Sequence, residues 1–363
     1  METTSKKKKK QLGSNQVLPT DTIAETVANQ YNVGTPIQCQ LIRAGFNHNY
    51  VVEMENQTKY VLRVYLNDKY YIQSPDDFRF ELEMTDYLAT QHGIPTVRPI
   101  QSNTGDWLSH IQFENDNGTT HTRHAALFEF AQGIEAEEMQ FTPAHYHILG
   151  ELQARMHQAL DEYPNSNQYQ RYHQDVSTYL LHKPLEILQQ ELSKCNSNNK
   201  ETQNNHLDFF QPTAQAMRDL LTLTLKKETP YYGLIHGDLH PGNLFWDDTT
   251  QTFTVIDWDH SSYGWRIYDA AAMIRSDGIP FFLTGYQTVR PFSTQEKRLI
   301  PLFRMLRQIW DFGDILAFQP LWEEEPTEEE TKQQLEKYLE RLHDIAKKFQ
   351  EMYGNEYDQK GAH

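Results

Sequence analysis

The feature that most constrains this chain is a run of eight residues, HGDLHPGN, from His236 to Asn243. The segment IDWD follows it, and its first carboxylate, Asp257, lies fourteen residues beyond the asparagine. Short runs of apolar, β-branched and aromatic residues at 231–235 and 253–256 flank these segments, a composition typical of strands. We predict that the two strands form a hairpin with its turn at 247–250, which brings Asp257 beside the loop.

Three side chains in these segments suit the transfer of a phosphoryl group. Such a reaction needs a carboxylate that orients and deprotonates an acceptor hydroxyl, and oxygen ligands that hold Mg²⁺ against the phosphates. Asp238 suits the first task, and Asn243 follows it by five positions, as the metal-binding asparagine follows the catalytic aspartate in kinase loops. Asp257 then supplies a carboxylate for the metal. The sequence therefore predicts a phosphoryl-transfer site.

Two other interpretations of the same run stay open. His236 and His240 stand four positions apart and would share one face of a helix, as in some zinc sites. Gly237 and Pro241 disfavour a helix there, and no glutamate follows the first histidine. The other alternative is a turn with a purely structural role.

Together with IDWD and the later segment YDAA at 268–271, the run resembles the aminoglycoside phosphotransferase and homoserine/choline kinase-like family. The resemblance implies an α+β, bilobal, protein-kinase-like fold, with a small β-rich N-lobe and a larger, mostly helical C-lobe. It also implies that Asp238 is the catalytic aspartate, that Asn243 and Asp257 bind Mg²⁺, and that Asp269 is a structural anchor in the C-lobe.

This fold divides the chain into three expected regions. Residues 1–16 form a disordered basic tail, 17–131 the N-lobe with a nucleotide-gripping sheet and one helix, and 132–363 the C-lobe with the catalytic loop and the substrate-binding helices. The run from Lys6 to Lys10 is either part of a disordered arm or a contact for an anionic surface.

The N-lobe is predicted to cover the nucleotide with a strand, a turn and a strand over residues 41–52. We place Gly45 and Asn47 of this turn among the nucleotide-binding residues. Only one glycine is present, so the segment lacks the G-x-G-x-x-G of protein kinases, and the same pattern suits an ordinary hairpin turn.

The next predicted strand, 60–65, carries Arg63 where the kinase V-A-I-K strand has its phosphate-binding lysine. Arginine keeps the charge and binds a phosphate or a carboxylate in a bidentate way, and the resembled family includes members with arginine here. Its partner is expected on a helix over 77–91, where apolar residues recur at helical intervals. The family's helix pattern selects Glu81 over Glu83; the alternative is an ordinary exposed acid.

Residues 95–100 and 125–133 are predicted to form the remaining N-lobe strands and the hinge between the lobes, and 109–123 a polar hairpin. The resemblance places the segment from Glu129 to Ala131 at the hinge, where backbone groups bind adenine. We therefore count Glu129 and Ala131 as nucleotide-binding residues. A buried strand that ends at a glycine turn explains the same letters.

The C-lobe is predicted to be mainly helical, because apolar residues recur at helical intervals in its segments. One capped helix begins at Thr142 with proline in its first turn, and a capping box at 326–330 introduces the last helix. The predicted helices cover 142–160, 179–188, 213–225, 302–310 and 335–349. The resemblance places the acceptor pocket among these helices, which therefore encode the identity of the substrate.

The composition limits the partners of the protein. A formal net charge of −17 argues against nucleic acid, because phosphate backbones need basic surfaces, and it suits a positively charged acceptor. No apolar run approaches the roughly 18 residues of a membrane span, and no signal-peptide pattern follows the first methionine. The two cysteines lack metal or redox spacing. We therefore expect a cytoplasmic protein without a membrane span.

We expect an ATP-dependent phosphotransferase that moves the γ-phosphoryl group to a hydroxyl of a small molecule, with Mg²⁺ as cofactor and GTP as an alternative nucleotide. In this scheme His236 braces the catalytic loop, and Asp259 helps a second metal or the acceptor. Amino alcohols, hydroxy amino acids, sugars and aminoglycosides are the candidate acceptors. The sequence leaves the oligomeric state open, a homo-oligomer included.

Two other functions compete with this one. A protein Ser/Thr kinase of the same fold is disfavoured, because the chain lacks both the glycine-rich signature and an A-P-E element after Asp257. A catalytically silent nucleotide-binding regulator is disfavoured by the intact Asp238, Asn243 and Asp257.

Overall fold

The first part of the chain folds around an antiparallel sheet. The computed structural model describes residues 13–115, 117–164, 173–174, 179–195, 206–273, 277–322 and 326–360. The strands of the sheet are β1 (Pro36–Ala44), β2 (Asn47–Met54), β3 (Lys59–Tyr65), β4 (Pro99–Ile100), β5 (Ser109–Glu114) and β6 (Thr120–Glu129). Their order is β1-β2-β3-β6-β4, and β5 pairs with β6 in the hairpin that we predicted over 109–123.

One face of this sheet packs against a helix that the sequence pattern did not predict. Tyr50, Val52 and Met54 alternate with half-exposed residues along β2, as expected for a strand with one buried face. They contact Ile23 and Val27 of α1 (Thr20–Gln30). Our expectation of a single helix between 17 and 131 is therefore wrong, because these few apolar residues among polar ones leave too weak a helical period.

The predicted helix over 77–91 is α2 (Pro75–His92). It begins with a capping box, in which Ser74 and Asp77 bond each other's backbone N–H groups, and it ends at Gly93 in the left-handed conformation. Phe80, Met84 and Leu88 lie on its buried face and belong to the core of the second part of the chain. The helix thus packs the sheet region onto the helical region.

The second part of the chain is mainly helical, as predicted. Thr142 caps the first of these helices, and Thr327 and Glu330 form the predicted capping box before the last. The helices are α3 (Pro143–Asp161), α4 (His182–Cys195), α5 (Gln211–Thr224), α6 (Arg266–Met273), α7 (Ile279–Tyr286), α8 (Thr294–Trp322) and α9 (Glu328–Lys360). The α+β architecture is therefore confirmed, with a β-rich first part and a helical second part. The run from Lys6 to Lys10 lies outside the described residues.

The strand pairing around the HGDLHPGN loop differs from our prediction. The strands here are β7 (Ile134–Glu135), β8 (His173–Gln174), β9 (Tyr232–Ile235), β10 (Leu244–Asp247), β11 (Thr252–Val255) and β12 (Ser262–Trp265). The hairpin forms between β10 and β11, whereas β9 pairs with β12, so the predicted pairing of 231–235 with 253–256 is wrong. The tight turn at 247–250 is as predicted, but a turn this short joins the strands next to it, and the short apolar segment from Leu244 to Trp246 is the nearer partner.

The two parts of the chain meet beside this hairpin. Thr96 forms a bridge to Val255 and donates its hydroxyl to the Val255 carbonyl (2.8 Å), and Trp258 donates its indole N–H to the Thr96 hydroxyl (2.9 Å). Only Pro99–Ile100 of the strand predicted over 95–100 forms a strand of the first sheet, because Pro95 and Val97 bond Val255 of the hairpin instead. Among the described residues, no helix is long and apolar enough to cross a membrane.

Candidate active site

The HGDLHPGN loop connects β9 to β10 and is anchored from below by Asp269. The buried Asp269 carboxylate, on α6, accepts the N–H groups of His236 (2.8 Å) and Gly237 (2.9 Å). Burial raises the pKa of Asp269, but the hydrogen bond and charge of His157, with the Gly237 N–H, outweigh burial and leave the pKa below its ordinary value. The loop therefore rests on an ionised carboxylate, as the resemblance implied for Asp269.

His236 braces this loop from within. Its ring is fully buried, its Nε2 atom lies 2.9 Å from the Ile256 carbonyl, and it packs against the Trp258 ring. His240 instead lies partly exposed, and the residues between the two histidines do not form a helix. The arrangement that the zinc interpretation requires is therefore absent from the loop.

Asp238 projects from the loop into a cation-rich setting. The Asn243 amide donates to the Asp238 carbonyl (2.9 Å) and lies 3.4 Å from its carboxylate, while the Arg307 guanidinium on α8 donates to the same carboxylate. Burial raises the pKa of Asp238, but Arg307, His260 and His240 lower it more, so the net pKa lies below the ordinary value. Asp238 is consequently a carboxylate that stays ionised at neutral pH.

Arg63 connects the sheet region to Asp257. Its Nη1 atom lies 2.7 Å from Glu81 Oε1 and its Nη2 atom 3.2 Å from Asp257 Oδ1, while the Tyr65 hydroxyl donates to the other Glu81 oxygen (3.2 Å). Burial raises the pKa of Glu81 to about 7 against the opposing effect of Arg63. The predicted ion pair with Glu81, and not with Glu83, is therefore present.

Asp257 and Asn243 have the atoms that a divalent cation would need. Asp257 adopts the left-handed conformation (φ 64°), and its buried Oδ1 atom receives no hydrogen bond from the described residues. The amide nitrogen of Asn243 donates to Asp238, which leaves the amide oxygen as a ligand. No group of three or more His, Cys, Asp or Glu within the described residues could hold a metal alone. The pair therefore fits Mg²⁺, which completes its shell with waters and substrate phosphates.

Two cavities open on either side of this pair. The hinge cavity, of about 180 Å³, is bounded by Arg63, Phe128 and the segment from Glu129 to Ala131. The α8 cavity, of about 210 Å³, is bounded by Asn47 and by charged side chains, which are Arg43, Asp238, Asp257, Asp259, Arg307, Asp311 and Asp314. Asn243 and Asp257 line both cavities. A metal held there would contact a molecule in either one.

The structure brings most of the predicted site residues together. Glu129 and Ala131 line the hinge cavity. Gly45 lies in the turn between β1 and β2, where its N–H donates to the Asn47 carbonyl (3.2 Å), and it borders neither cavity. The Asn47 side chain bonds Lys69 and Asp259. Asp259 was expected near a second metal or the acceptor; it lines the α8 cavity, and its carboxylate is paired with the Lys69 ammonium.

Several site residues escaped the sequence prediction. Arg307, Asp311 and Asp314 stand at i, i+4 and i+7 on α8, so that all three reach the same cavity. This charged stripe within an apolar helix was a usable signal. Lys69 had no such signal, because its partners lie 22 and 190 residues away.

The fold and this site define a phosphotransferase of protein-kinase-like architecture. The sequence model of the phosphotransferase enzyme family matches residues 38–289, and the chain belongs to that family. The family and the fold that the resemblance implied are therefore confirmed.

Individual relatives have low sequence identity to this chain. A homoserine kinase of Caulobacter vibrioides (strain NA1000 / CB15N) is 26% identical over 334 residues, which cover 86% of this chain and 94% of that protein. The amicoumacin kinase of Bacillus subtilis (strain 168) is 24% identical over 284 residues, or 73% and 76% of the two chains.

Solved structures agree on the fold. The amicoumacin kinase hAmiN, in complex with AMP-PNP, Ca²⁺ and Ami, superposes with a TM-score of 0.65 at 20% identity and covers 91% of this chain and 94% of its own. A microcompartment-associated aminopropanol kinase superposes with a TM-score of 0.67 at 19% identity, covering 91% and 97%.

Proposed function

We propose that this protein is an ATP-dependent kinase that transfers the γ-phosphoryl group to a hydroxyl of a small molecule. One observation carries the proposal: the ionised Asp238 faces the α8 cavity, while Asn243 and Asp257 stand between that cavity and the hinge cavity. A nucleotide on one side, a metal at the junction and a hydroxyl on the other side would then lie in line for transfer.

The hinge cavity suits the nucleotide. Phe128 and Ile256 supply apolar surface for a flat base, and the end of β6 supplies backbone groups at Glu129 and Ala131. Arg63 would contact the phosphates, with Glu81 holding its guanidinium in place. The AMP-PNP bound to the related amicoumacin kinase supports ATP as the donor. GTP stays an alternative donor, and the nucleotide-release assay described below distinguishes it from ATP.

The junction suits Mg²⁺. Asn243 and Asp257 would hold the ion through one amide and one carboxylate oxygen, and Mg²⁺ typically takes few protein ligands beside phosphate oxygens. When bound, the metal neutralises charge on the transferred group. When no metal is bound, Arg63 is the cation that contacts the Asp257 carboxylate.

Asp238 would orient the acceptor hydroxyl and take its proton. Its pKa lies below the ordinary value, so the carboxylate is ionised and accepts a hydrogen bond from the entering hydroxyl. In the free protein the Arg307 guanidinium forms an ion pair with the Asp238 carboxylate. The acceptor therefore replaces part of this contact as it binds, and the guanidinium becomes available to anionic groups of the substrate.

The α8 cavity favours an acceptor that carries an amino group. Asp314 is buried, accepts a hydrogen bond from the Tyr70 hydroxyl (3.0 Å) and forms no ion pair with the described cations. Burial raises the pKa of Asp314 well above its ordinary value, and an ammonium group beside it would reverse that shift. Homoserine and aminopropanol, the namesakes of two relatives, combine an amino group with a hydroxyl. We therefore rank hydroxy amino acids and amino alcohols first.

The test is Mg²⁺-dependent release of ADP or GDP from the two nucleotides, with amino alcohols, hydroxy amino acids, sugars, aminoglycosides and a protein mixture as acceptors. We expect a small amino-bearing acceptor to stimulate release. Asp238→Asn should lower turnover by about 10²- to 10⁴-fold, the usual value of a positioned general base. The exposed Asp21, on α1, provides the control Asp21→Asn, which should keep full activity.

Near-normal turnover in Asp238→Asn would remove that residue from the role of base. Stimulation by the protein mixture alone would replace the small-molecule acceptor with a protein. Tight nucleotide binding without any acceptor-stimulated release would support a regulatory protein instead.

A further inference from the structure

Lys69 is a buried cation that has no role in the mechanism above. It lies in the segment between β3 and α2, and its side chain is completely enclosed (0% exposed). A lysine is seldom buried unless its charge is paired, because removing an ammonium group from water is costly. Its position therefore points to the groups that it contacts.

The Lys69 ammonium contacts two side chains of the active-site cleft. It donates to Asn47 Oδ1 (2.8 Å) and to the carboxylate of Asp259. The Asn47 amide nitrogen donates to the same Asp259 oxygen (2.9 Å), and the Tyr71 hydroxyl lies 3.4 Å from it. Lys69, Asn47 and Asp259 thus form a closed triangle of hydrogen bonds, which we call the Lys69 triangle.

The Lys69 triangle joins three elements that surround the cleft. Asn47 begins β2 and lies at the turn between β1 and β2, on the wall of the α8 cavity. Asp259 follows two residues after Asp257, in the short turn from Trp258 to His260. Lys69 therefore connects the turn above the cleft to the segment that carries the proposed metal ligand.

This connection is the second of its kind in the site. Arg63 links β3 to Asp257, and Lys69 links the following segment to Asp259, so each aspartate of IDWD is paired with a cation from the sheet region. Both links cross between the two parts of the chain.

We propose that Lys69 is a positioning residue. Through Asn47 and Asp259 it fixes the position of the β1–β2 turn relative to Asp257. It thereby determines the affinity for a magnesium–nucleotide complex that it does not contact. The proposal rests on the nucleotide and metal sites of the proposed function. It predicts that the loss of the ammonium group weakens nucleotide binding even where the protein stays folded.

The experiment compares Lys69→Met, Asp259→Asn and the double variant with the unmodified protein. Calorimetric titration with Mg–AMP-PNP, without acceptor, gives the dissociation constant, and thermal unfolding gives the stability. The single lysine variant removes the ammonium partner of the buried Asp259 carboxylate and should unfold at a lower temperature. The double variant should recover stability because the buried carboxylate is removed as well. We expect Lys69→Met and the double variant to bind Mg–AMP-PNP about 5- to 150-fold more weakly than the unmodified protein does. This is the usual range of coupling between sites.

A matched control tests whether any buried cation has this effect. Arg290 is buried beside Asp161, away from both cavities, and Arg290→Met should lower the unfolding temperature without changing the affinity for Mg–AMP-PNP. In steady-state assays, Lys69→Met should raise the KM for the nucleotide.

Two outcomes overturn this inference alone. If the double variant regains both the stability and the affinity of the unmodified protein, Lys69 serves only to neutralise Asp259. If Lys69→Met binds Mg–AMP-PNP normally, the triangle does not affect the nucleotide site. If the unmodified protein fails to bind Mg–AMP-PNP at all, the proposed function is overturned together with this inference. Binding by the unmodified protein therefore distinguishes a failure of this inference from a failure of the proposed function.

Discussion

At the scale of single residues, the site is governed by which carboxylates are paired with cations. Asp238 is paired with Arg307, Asp257 with Arg63 and Asp259 with Lys69. An opposite charge beside a buried carboxylate lowers its pKa and so opposes the effect of burial. Arg307 and the neighbouring histidines therefore keep the proposed base, Asp238, ionised before any substrate arrives.

Asp314 lines the same cavity without an ion pair to a described cation, and it leads to a prediction about the acceptor. Its pKa is raised by burial, and an ammonium group would be its first cationic partner. Asp314→Asn should raise the KM for an amino-bearing acceptor at least about 30-fold, equivalent to about 2 kcal/mol for a buried charged pair. The KM for the nucleotide should stay unchanged.

Steady-state kinetics with the acceptor found by the release assay provide the measurement. Asp344→Asn, at an exposed position on α9, is the matched control and should behave as the unmodified protein. An acceptor KM that does not change in Asp314→Asn would show that the amino group binds elsewhere.

At the scale of secondary-structure elements, short-range rules set the helices and strands, and contacts between elements set their pairing. Capping residues define the start of α2 and α3, and alternation defines β2. The pairing of β9 with β12, however, depends on contacts between segments that are not adjacent in the sequence.

The link between β3 and α2 can be tested on two neighbouring acids of one helix. Glu81→Ala should lower the free energy of unfolding by about 3–5 kcal/mol, because it leaves the Arg63 charge buried without its closest partner. Glu83→Ala removes an acid from the same helix and should change stability by less than about 0.5 kcal/mol. Urea unfolding of the two variants provides the comparison.

Equal losses from the two substitutions would mean that the ion pair contributes nothing beyond helix propensity. A deficit confined to Glu81→Ala would agree with the contact seen between Glu81 and Arg63.

The approach of β7 to β10 depends on a glycine. Gly133 has φ +99°, and a Cβ atom there would lie 2.1 Å from the Trp246 carbonyl oxygen. Gly133→Ala should therefore cost more stability than Gly105→Ala, where φ is +80° but the space is open. The open position isolates the cost of the backbone conformation, about 1–3 kcal/mol.

Thermal or urea unfolding of these two alanine variants is the measurement. If they lose the same stability, the backbone conformation alone requires the glycine, and the close approach of the strands does not.

At the scale of the whole molecule, the site lies where a sheet region and a helical region meet. α2 belongs to both, and Thr96, Arg63 and Lys69 bond across the junction. Residues from both regions line each cavity, so neither region forms the proposed site alone. The stability of the junction is therefore a condition for activity.

Acid should weaken the molecule through His48, which is buried in β2 beside Arg123. Burial and then Arg123 lower the pKa of His48 to about 3. Between pH 6.5 and 3 the unfolded chain therefore binds a proton that the folded chain does not, so stability falls as the pH falls. His48→Asn keeps an acceptor for Arg123 and should reduce the loss between pH 7 and 4.5 by about 2–3 kcal/mol.

Urea unfolding at several pH values tests this expectation, with His182→Asn, at an exposed position on α4, as the control. An acid loss in His48→Asn as large as in the unmodified protein would mean that other groups cause it.

The sequence alone determined the class of fold and the centre of the site. Asp238, Asn243 and Asp257 were found because a loop brings its own residues together and the required chemistry restricts their types and spacing. Arg63 was predicted from the kinase strand pattern, and Glu81 from the helix pattern of the resembled family. These are properties of segments within a few turns of chain.

The tertiary structure decided the rest. Arg307 reaches Asp238 from 69 residues away and Lys69 reaches Asp259 from 190 residues away, and no local pattern of letters carries those distances. The pairing of β9 with β12 and the helix α1 depended likewise on the burial of surfaces that distant segments supply. Local sequence determines which chemistry is available, but the burial and pairing of its charges depend on how distant segments pack.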